Sequence, residues 1–214
     1  MKCERDTMCL YAVTDRSWVG KQTLLEQVED ALKGGVTCVQ LREKVLEKEK
    51  FLEEALEMKK LCTKYQIPFI INDNVEIALK CKADGIHVGQ SDMEAGNVRK
   101  LAGEHMIIGV SVRTVEEAVA AEKAGADYLG VGAMFPTSTK LDAADVSYEM
   151  LKEICNTVTI PVVAIGGINK NNIQELVGTG VDGIALVSAI FAAENIEETC
   201  RELKSISKKM VGKC

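Results

Sequence analysis

The feature that most constrains how this chain can fold is an alternation: short runs rich in β-branched residues are each followed by a longer, charged, amphipathic run. That is the pattern of βα units, in which parallel strands are joined by crossover helices. The strand runs read as Leu10 to Thr14, Cys38 to Arg42, Phe69 to Asn72, Gly85 to Val88, Met106 to Val110, Tyr128 to Val131, Val162 to Ile165 and Gly183 to Leu186. Between them the spacing predicts helices of roughly 7 to 17 residues, such as FLEEALEMKKLCTKY from Phe51 and VEEAVAAEKAG from Val115.

Internal echoes reinforce the alternation. ADGIHVG from Ala83, ADYLGVG from Ala126 and VDGIALV from Val181 each place an Asp just before a strand, and IPFII from Ile67 resembles IPVVAI from Ile160. Pro68 and Pro161 fall at strand starts, where a missing N–H is tolerated. Eight units in 214 residues fit an α/β fold of the TIM (β/α)8 type, a single barrel domain over residues 1–214. A doubly wound open sheet shows the same alternation but needs fewer strands. No Pro-, Gly- or Ser-rich linker or charge block marks a domain boundary.

Composition excludes some function classes. A net charge of −6 and a pI near 5.2 argue against sequence-independent nucleic-acid binding, so an anionic substrate needs local cations. The N-terminal stretch has no apolar run long enough for a signal peptide, and no run approaches the roughly 20 residues of a membrane span. The expected location is the cytoplasm. Eight cysteines include no CxxC pair, and Cys9, Cys38, Cys62, Cys81 and Cys155 read as small buried hydrophobes, not metal ligands or disulfides.

In a TIM barrel the site forms where the strands end, so the residues after each strand carry the functional reading. VQLREK, Val39 to Lys44, alternates so that Gln40, Arg42 and Lys44 share one face and Val39 and Leu41 the other. A cationic row closing an apolar strand has to meet water or an anion. Asn72, Asp73 and Asn74 close strand 3, while Gln90, Ser91 and Asp92 follow strand 4. Asp73 and Asp92 could hold Mg²⁺, which takes one or two carboxylates and leaves other positions to water and phosphate. Each could equally cap the helix it precedes. Ser111 and Arg113 follow strand 5. Gly166, Gly167 and Ser188, after strands 7 and 8, could offer backbone N–H groups to a phosphate, although a tight turn also needs glycine. The longest connection follows strand 6 and carries Thr137, Ser138, Thr139 and Lys140, a length typical of a lid. His87 lies within strand 4 and His105 at the other end of the barrel, so neither is expected to act as a base. The roles of Thr14 and Asp15 stay open.

VQLREK, IINDN, GIHVGQSD, IGVS, GVGAMFPTSTK, VVAIGGI and ALVSAI, in this order over residues 39 to 190, resemble the thiamine phosphate synthase family. The resemblance implies a transferase that joins 4-amino-5-hydroxymethyl-2-methylpyrimidine diphosphate to 4-methyl-5-(2-hydroxyethyl)thiazole phosphate, or its carboxylated form, and releases diphosphate with Mg²⁺. It implies that Gln40, Leu41, Arg42, Glu43 and Lys44, with Asn72, Ser111 and Lys140, bind the pyrimidine diphosphate. Arg42, Lys44, Lys140 and Ser111 would assist the chemistry. Thr137, Ser138, Thr139, Gly167, Val187 and Ser188 would bind the thiazole phosphate, and Asp73 and Asp92 the Mg²⁺. The related thiazole tautomerase carries a base histidine where this chain has Ala133, and a silent phosphate-binding barrel is a further alternative. No nucleic-acid or membrane partner is expected.

Overall fold

The computed structural model describes residues 3–89, 95–137 and 145–212. Eight parallel strands close into a barrel in sequence order: β1 (Leu10–Val13), β2 (Cys38–Leu41), β3 (Phe69–Asn72), β4 (Gly85–Val88), β5 (Ile107–Val112), β6 (Tyr128–Val131), β7 (Val162–Ile165) and β8 (Gly183–Leu186), with β8 pairing back onto β1. Five strands have the bounds read from the sequence. β1 and β2 each stop one residue short, because Thr14 turns its hydroxyl to accept the Arg42 amide at 3.0 Å and the ladder ends in a side-chain bond. β5 starts one residue late and runs on to Val112, which pairs with Val131.

The helices are α1 (Leu24–Lys33), α2 (Lys48–Lys64), α3 (Val75–Lys80), α4 (Ala95–Ala102), α5 (Val115–Lys123), α6 (Tyr148–Thr157), the short α7 (Ser188–Phe191) and α8 (Ile196–Met210). Between β7 and β8 the expected helix is replaced by a four-residue 3-10 turn, Ile173–Leu176. The stretch NKNNIQELVGTG is too short between its polar start and its glycines for several α turns. In α1 a capping box between Thr23 and Glu26 fixes the start, and Leu24, Val28, Ala31 and Leu32 recur at helical spacing on the buried face. Burying a Leu or Val of this kind contributes about 1.5–3 kcal/mol.

Strand alternation divides the core in two. Outward residues such as Leu10, Val39, Leu41, Phe69, Ile86 and Leu129 join the helices in the larger core, while Tyr11, Val13, Cys38, Ile70, Ile107, Tyr128, Val163 and Ala185 fill the barrel interior. Among the expected core cysteines, Cys9, Cys38, Cys62 and Cys81 are buried, whereas Cys155 is only half-buried.

The echoed aspartates have a structural purpose. Asp84 accepts the Phe69 amide at 2.9 Å, Asp127 the Ile108 amide at 2.8 Å, and Asp182 the Val162 amide at 3.0 Å. Each stands immediately before an even-numbered strand and satisfies an N–H at the start of the preceding odd one. Thr37, before β2, does the same for Leu10 at 2.8 Å. Lys59, Arg99 and Arg5 neutralise the three carboxylates. The repeat is therefore a βαβα unit whose two strands are tied at their N-terminal ends by one side chain, used four times around the barrel.

Candidate active site

The carboxyl ends of the strands enclose a cavity of about 350 Å³ lined by, among others, Gln40, Arg42, Asn72, Ser111, Thr137, Gly167, Val187 and Ser188. Those eight were expected from the sequence, and the ends of six strands, β2, β3, β5, β6, β7 and β8, bring all of them to one mouth. Further lining comes from Tyr11, His87, Arg113 and Tyr128.

The alternation read in VQLREK holds from Val39 to Arg42, while Lys44, beyond the strand end, is exposed beside Asp73 and is not part of the cavity lining. Gln40 and Arg42 face the barrel interior and Leu41 faces the outer core, fully buried. Glu43 also turns away: its carboxylate is taken by Arg16 at 2.7 Å, and Arg16 also binds Glu54 at 2.6 Å. Leu41 and Glu43 can therefore serve a ligand only through their backbone. Arg42 is held by Asp15, Nη1 to Oδ2 at 3.1 Å, and Asp15 in turn accepts the Ser17 amide. Asp15 titrates below the ordinary carboxylate range; partial burial works against this, but the Ser17 hydrogen bonds and the Arg42 charge prevail. Thr14 and Asp15, whose roles the sequence left open, thus set the backbone and the guanidinium of Arg42.

Asp73 occupies the left-handed region, φ 62°, at the end of β3, a conformation uncommon for a non-glycine residue. Its Oδ2 lies 2.5 Å from Asn72 Nδ2 and 3.4 Å from Lys44 Nζ. It does not cap α3. Asn74 does, accepting the Ile77 amide at 3.0 Å. Asp73 is therefore a partly exposed carboxylate at the mouth, a hard oxygen donor of the kind Mg²⁺ takes. Asp92, Ser138, Thr139 and Lys140 lie outside the described residues.

Gly166 and Gly167 both have positive φ, 98° and 65°. A side chain at Gly167 would strike the carbonyls of Phe135 and Pro136, and the β6 loop is stitched to this turn by Phe135 N to Gly166 O at 3.0 Å and Met134 N to Ile165 O at 3.0 Å. Glycine is required here by the packing of one loop on another as well as by any ligand. Ser188 is the first residue of the short α7, after Val187.

Deeper in, the sequence reading missed a polar core. Tyr11 Oη and Tyr128 Oη are 2.7 Å apart, Gln40 Nε2 is 2.8 Å from Tyr11 Oη, His87 Nδ1 is 2.9 Å from Tyr128 Oη, and His87 Nε2 is 2.9 Å from Ser111 Oγ. Gly109 gives the Tyr128 ring its room and Gly130 gives room to His87. Large polar rings at inward strand positions, with glycines on β5 and β6 to make room for them, were the signal available.

A second, larger and open cavity of about 820 Å³ lies at the opposite end of the barrel, lined by Cys3, Arg5, His105, Asp127 and neighbours. His105 is there, as expected, and the groups that converge at the other mouth are absent from its lining.

An eight-stranded parallel barrel with cations, a carboxylate and glycine turns gathered at the strand ends defines the class: a TIM barrel with its polar groups at the mouth where such barrels carry their active sites. The family profile described as thiamine monophosphate synthase matches residues 10–190. The thiamine-phosphate synthase of Clostridium tetani is 53% identical over 194 residues, 91% of this chain and 93% of that one. That of Clostridium botulinum is 53% identical over 201 residues, covering 94% of each. The solved thiamine phosphate pyrophosphorylase of Pyrococcus furiosus superposes with a TM-score of 0.90 at 41% identity, over 97% of this chain and 99% of that one. The chain belongs to the thiamine monophosphate synthase family and is an enzyme of the transferase type.

Proposed function

We propose that this chain joins 4-amino-5-hydroxymethyl-2-methylpyrimidine diphosphate to 4-methyl-5-(2-hydroxyethyl)thiazole phosphate, or its carboxylated form, giving thiamine phosphate and diphosphate. The observation that carries the reading is one cavity lined on its β2 to β5 side by Arg42, Asn72 and Ser111 and on its β6 to β8 side by Thr137, Gly167, Val187 and Ser188. Two phosphorylated substrates brought together need two such sides.

The pyrimidine CH₂–O bond breaks first, leaving a cation delocalised through the aminopyrimidine. Arg42, Lys44 and Lys140 oppose the negative charge that develops on the departing diphosphate, an effect stronger in an enclosed site than in water. Asn72 and Ser111 orient diphosphate and ring by hydrogen bonds. The thiazole nitrogen carries its own lone pair, so no general base is required at that atom. Thr137, Ser138 and Thr139, with Gly167, Val187 and Ser188, hold the thiazole phosphate, and their loop excludes water from the cation. Asp73 and Asp92 would hold Mg²⁺, which when bound supplies positive charge to the diphosphate. Ala133 lines the cavity and offers no base, which favours condensation over tautomerisation.

Incubation with both substrates and Mg²⁺ should yield thiamine phosphate and diphosphate in equal amounts, and omission of either substrate should abolish the product. Binding of both substrates without product would sink the proposal.

A further inference from the structure

The barrel interior of a TIM fold is ordinarily filled by branched apolar side chains. Here five polar groups instead run in an unbroken line across it, from Gln40 on β2 through Tyr11, Tyr128 and His87 to Ser111 on β5, with steps of 2.8, 2.7, 2.9 and 2.9 Å. Both ends of the line, Gln40 and Ser111, line the cavity mouth. Tyr11 and Tyr128 are almost wholly buried, and a buried hydroxyl without a partner is costly, so each proton in the line has to be spoken for.

The proton inventory gives the line a direction. The Gln40 amide nitrogen can only donate, so Tyr11 Oη accepts from it. The Tyr11 proton then goes to Tyr128 Oη, and the Tyr128 proton goes to His87 Nδ1. Nδ1 is thereby an acceptor, which leaves the imidazole proton on Nε2, directed at Ser111 Oγ. Ser111 Oγ thereby accepts from His87, and what the hydroxyl can give to a ligand is its own hydrogen.

We propose that Tyr11, Tyr128 and His87 are positioning residues: a one-way hydrogen-bond relay that locks neutral His87 as the Nε2–H tautomer and presents the Ser111 hydroxyl as a donor to the anionic leaving group. The relay stands on the geometry alone, and only its effect on turnover rests on the synthase reading. Burial raises the ionisation of both tyrosine hydroxyls well above the usual tyrosine range, which keeps both protons in the line.

The first arm of the test reads the tautomer directly. The chain has two histidines, so His105→Gln leaves a protein in which ¹⁵N-histidine labelling reports His87 alone. Long-range ¹H–¹⁵N spectra at neutral pH should show a pyridine-type Nδ1 and a pyrrole-type Nε2, and Tyr128→Phe should erase that preference. The Nδ1–H tautomer or a doubly protonated ring in the parent would overturn the relay, and this arm stands even if the protein makes no thiamine phosphate.

The second arm reads turnover. Tyr128→Phe, which keeps the ring, should lower kcat about tenfold and leave the KM for pyrimidine diphosphate within about twofold, the size of one lost hydrogen bond expressed in the rate. In a Ser111→Ala background the same substitution should cost less than about twofold, because residues acting through one group are not additive. His87→Gln, whose amide can still donate to Ser111, should recover most of what His87→Leu loses. Full additivity with Ser111→Ala, or equal losses for His87→Gln and His87→Leu, would reduce the line to a packing feature and overturn its role in catalysis.

Discussion

At the end of β3, Asn74 Oδ1 accepts the Ile77 amide while the neighbouring Asp73 carboxylate turns to Asn72 and Lys44. Two adjacent polar residues that look alike as helix caps in the sequence are separated by one backbone angle. The prediction is a split. Asn74→Ala should cost about 1 kcal/mol of stability, the usual size of a lost N-cap, seen in a denaturant titration. Asp73→Asn should leave the midpoint nearly unchanged and depress turnover severely, with partial recovery as Mg²⁺ is raised, because a weakened site refills by mass action. A stability loss from Asp73→Asn with full activity would return that residue to a structural role. A second prediction concerns Tyr11 and Tyr128, whose ionisation burial pushes well upward. A folded-state value above the unfolded value of about 10 means their stabilising share is complete below pH 10 and falls as pH rises beyond it. In an alkaline titration followed by phenolate absorbance, these two of the four tyrosines should stay silent until the chain unfolds. Four tyrosines ionising while circular dichroism is still native would contradict the buried relay.

Most elements were legible because their signals are local. β3, β4, β6, β7 and β8 had the expected bounds, since β-branched runs between helix ends and polar strand ends leave little choice. The 3-10 turn after β7 was not legible, because neighbouring units create the expectation of a helix that its own residues do not support. The Asp repeats were visible as echoes, yet their purpose was hidden: each bonds to a strand some 15 to 20 residues earlier in the chain, a pairing no local pattern reports. Asp182 is the most buried of the three. Asp182→Ala would leave the Val162 amide and Arg5 without their partner, and should cost about 1–3 kcal/mol. Thermal unfolding of the variant measures this; a midpoint equal to that of the parent would show that the tie between β7 and β8 is redundant.

For the whole molecule, the barrel makes a site of residues that are far apart in sequence. Arg42 and Ser188 line the same cavity from opposite ends of the chain, and neither has any meaning without the closure of β8 onto β1. The ligand-facing residues were readable because a barrel sends strand ends to one mouth, so counting strands was enough to gather them. The residues behind them, Thr14 and Asp15 beneath Arg42 and the two tyrosines and His87 beneath Ser111, were not, because their orientation depends on side chains of other strands that only the closed barrel brings beside them. Both substrates are expected to meet in this cavity and not at the open cavity at the other end. A crystal structure of the protein with thiamine phosphate, diphosphate and Mg²⁺ tests it most directly. The expected density is diphosphate against Arg42 and Ser111 with the metal on Asp73, and the thiazole phosphate against Gly167 and Ser188. Product bound beside His105 and Arg5, or diphosphate and thiazole phosphate on exchanged sides of the cavity, would contradict it.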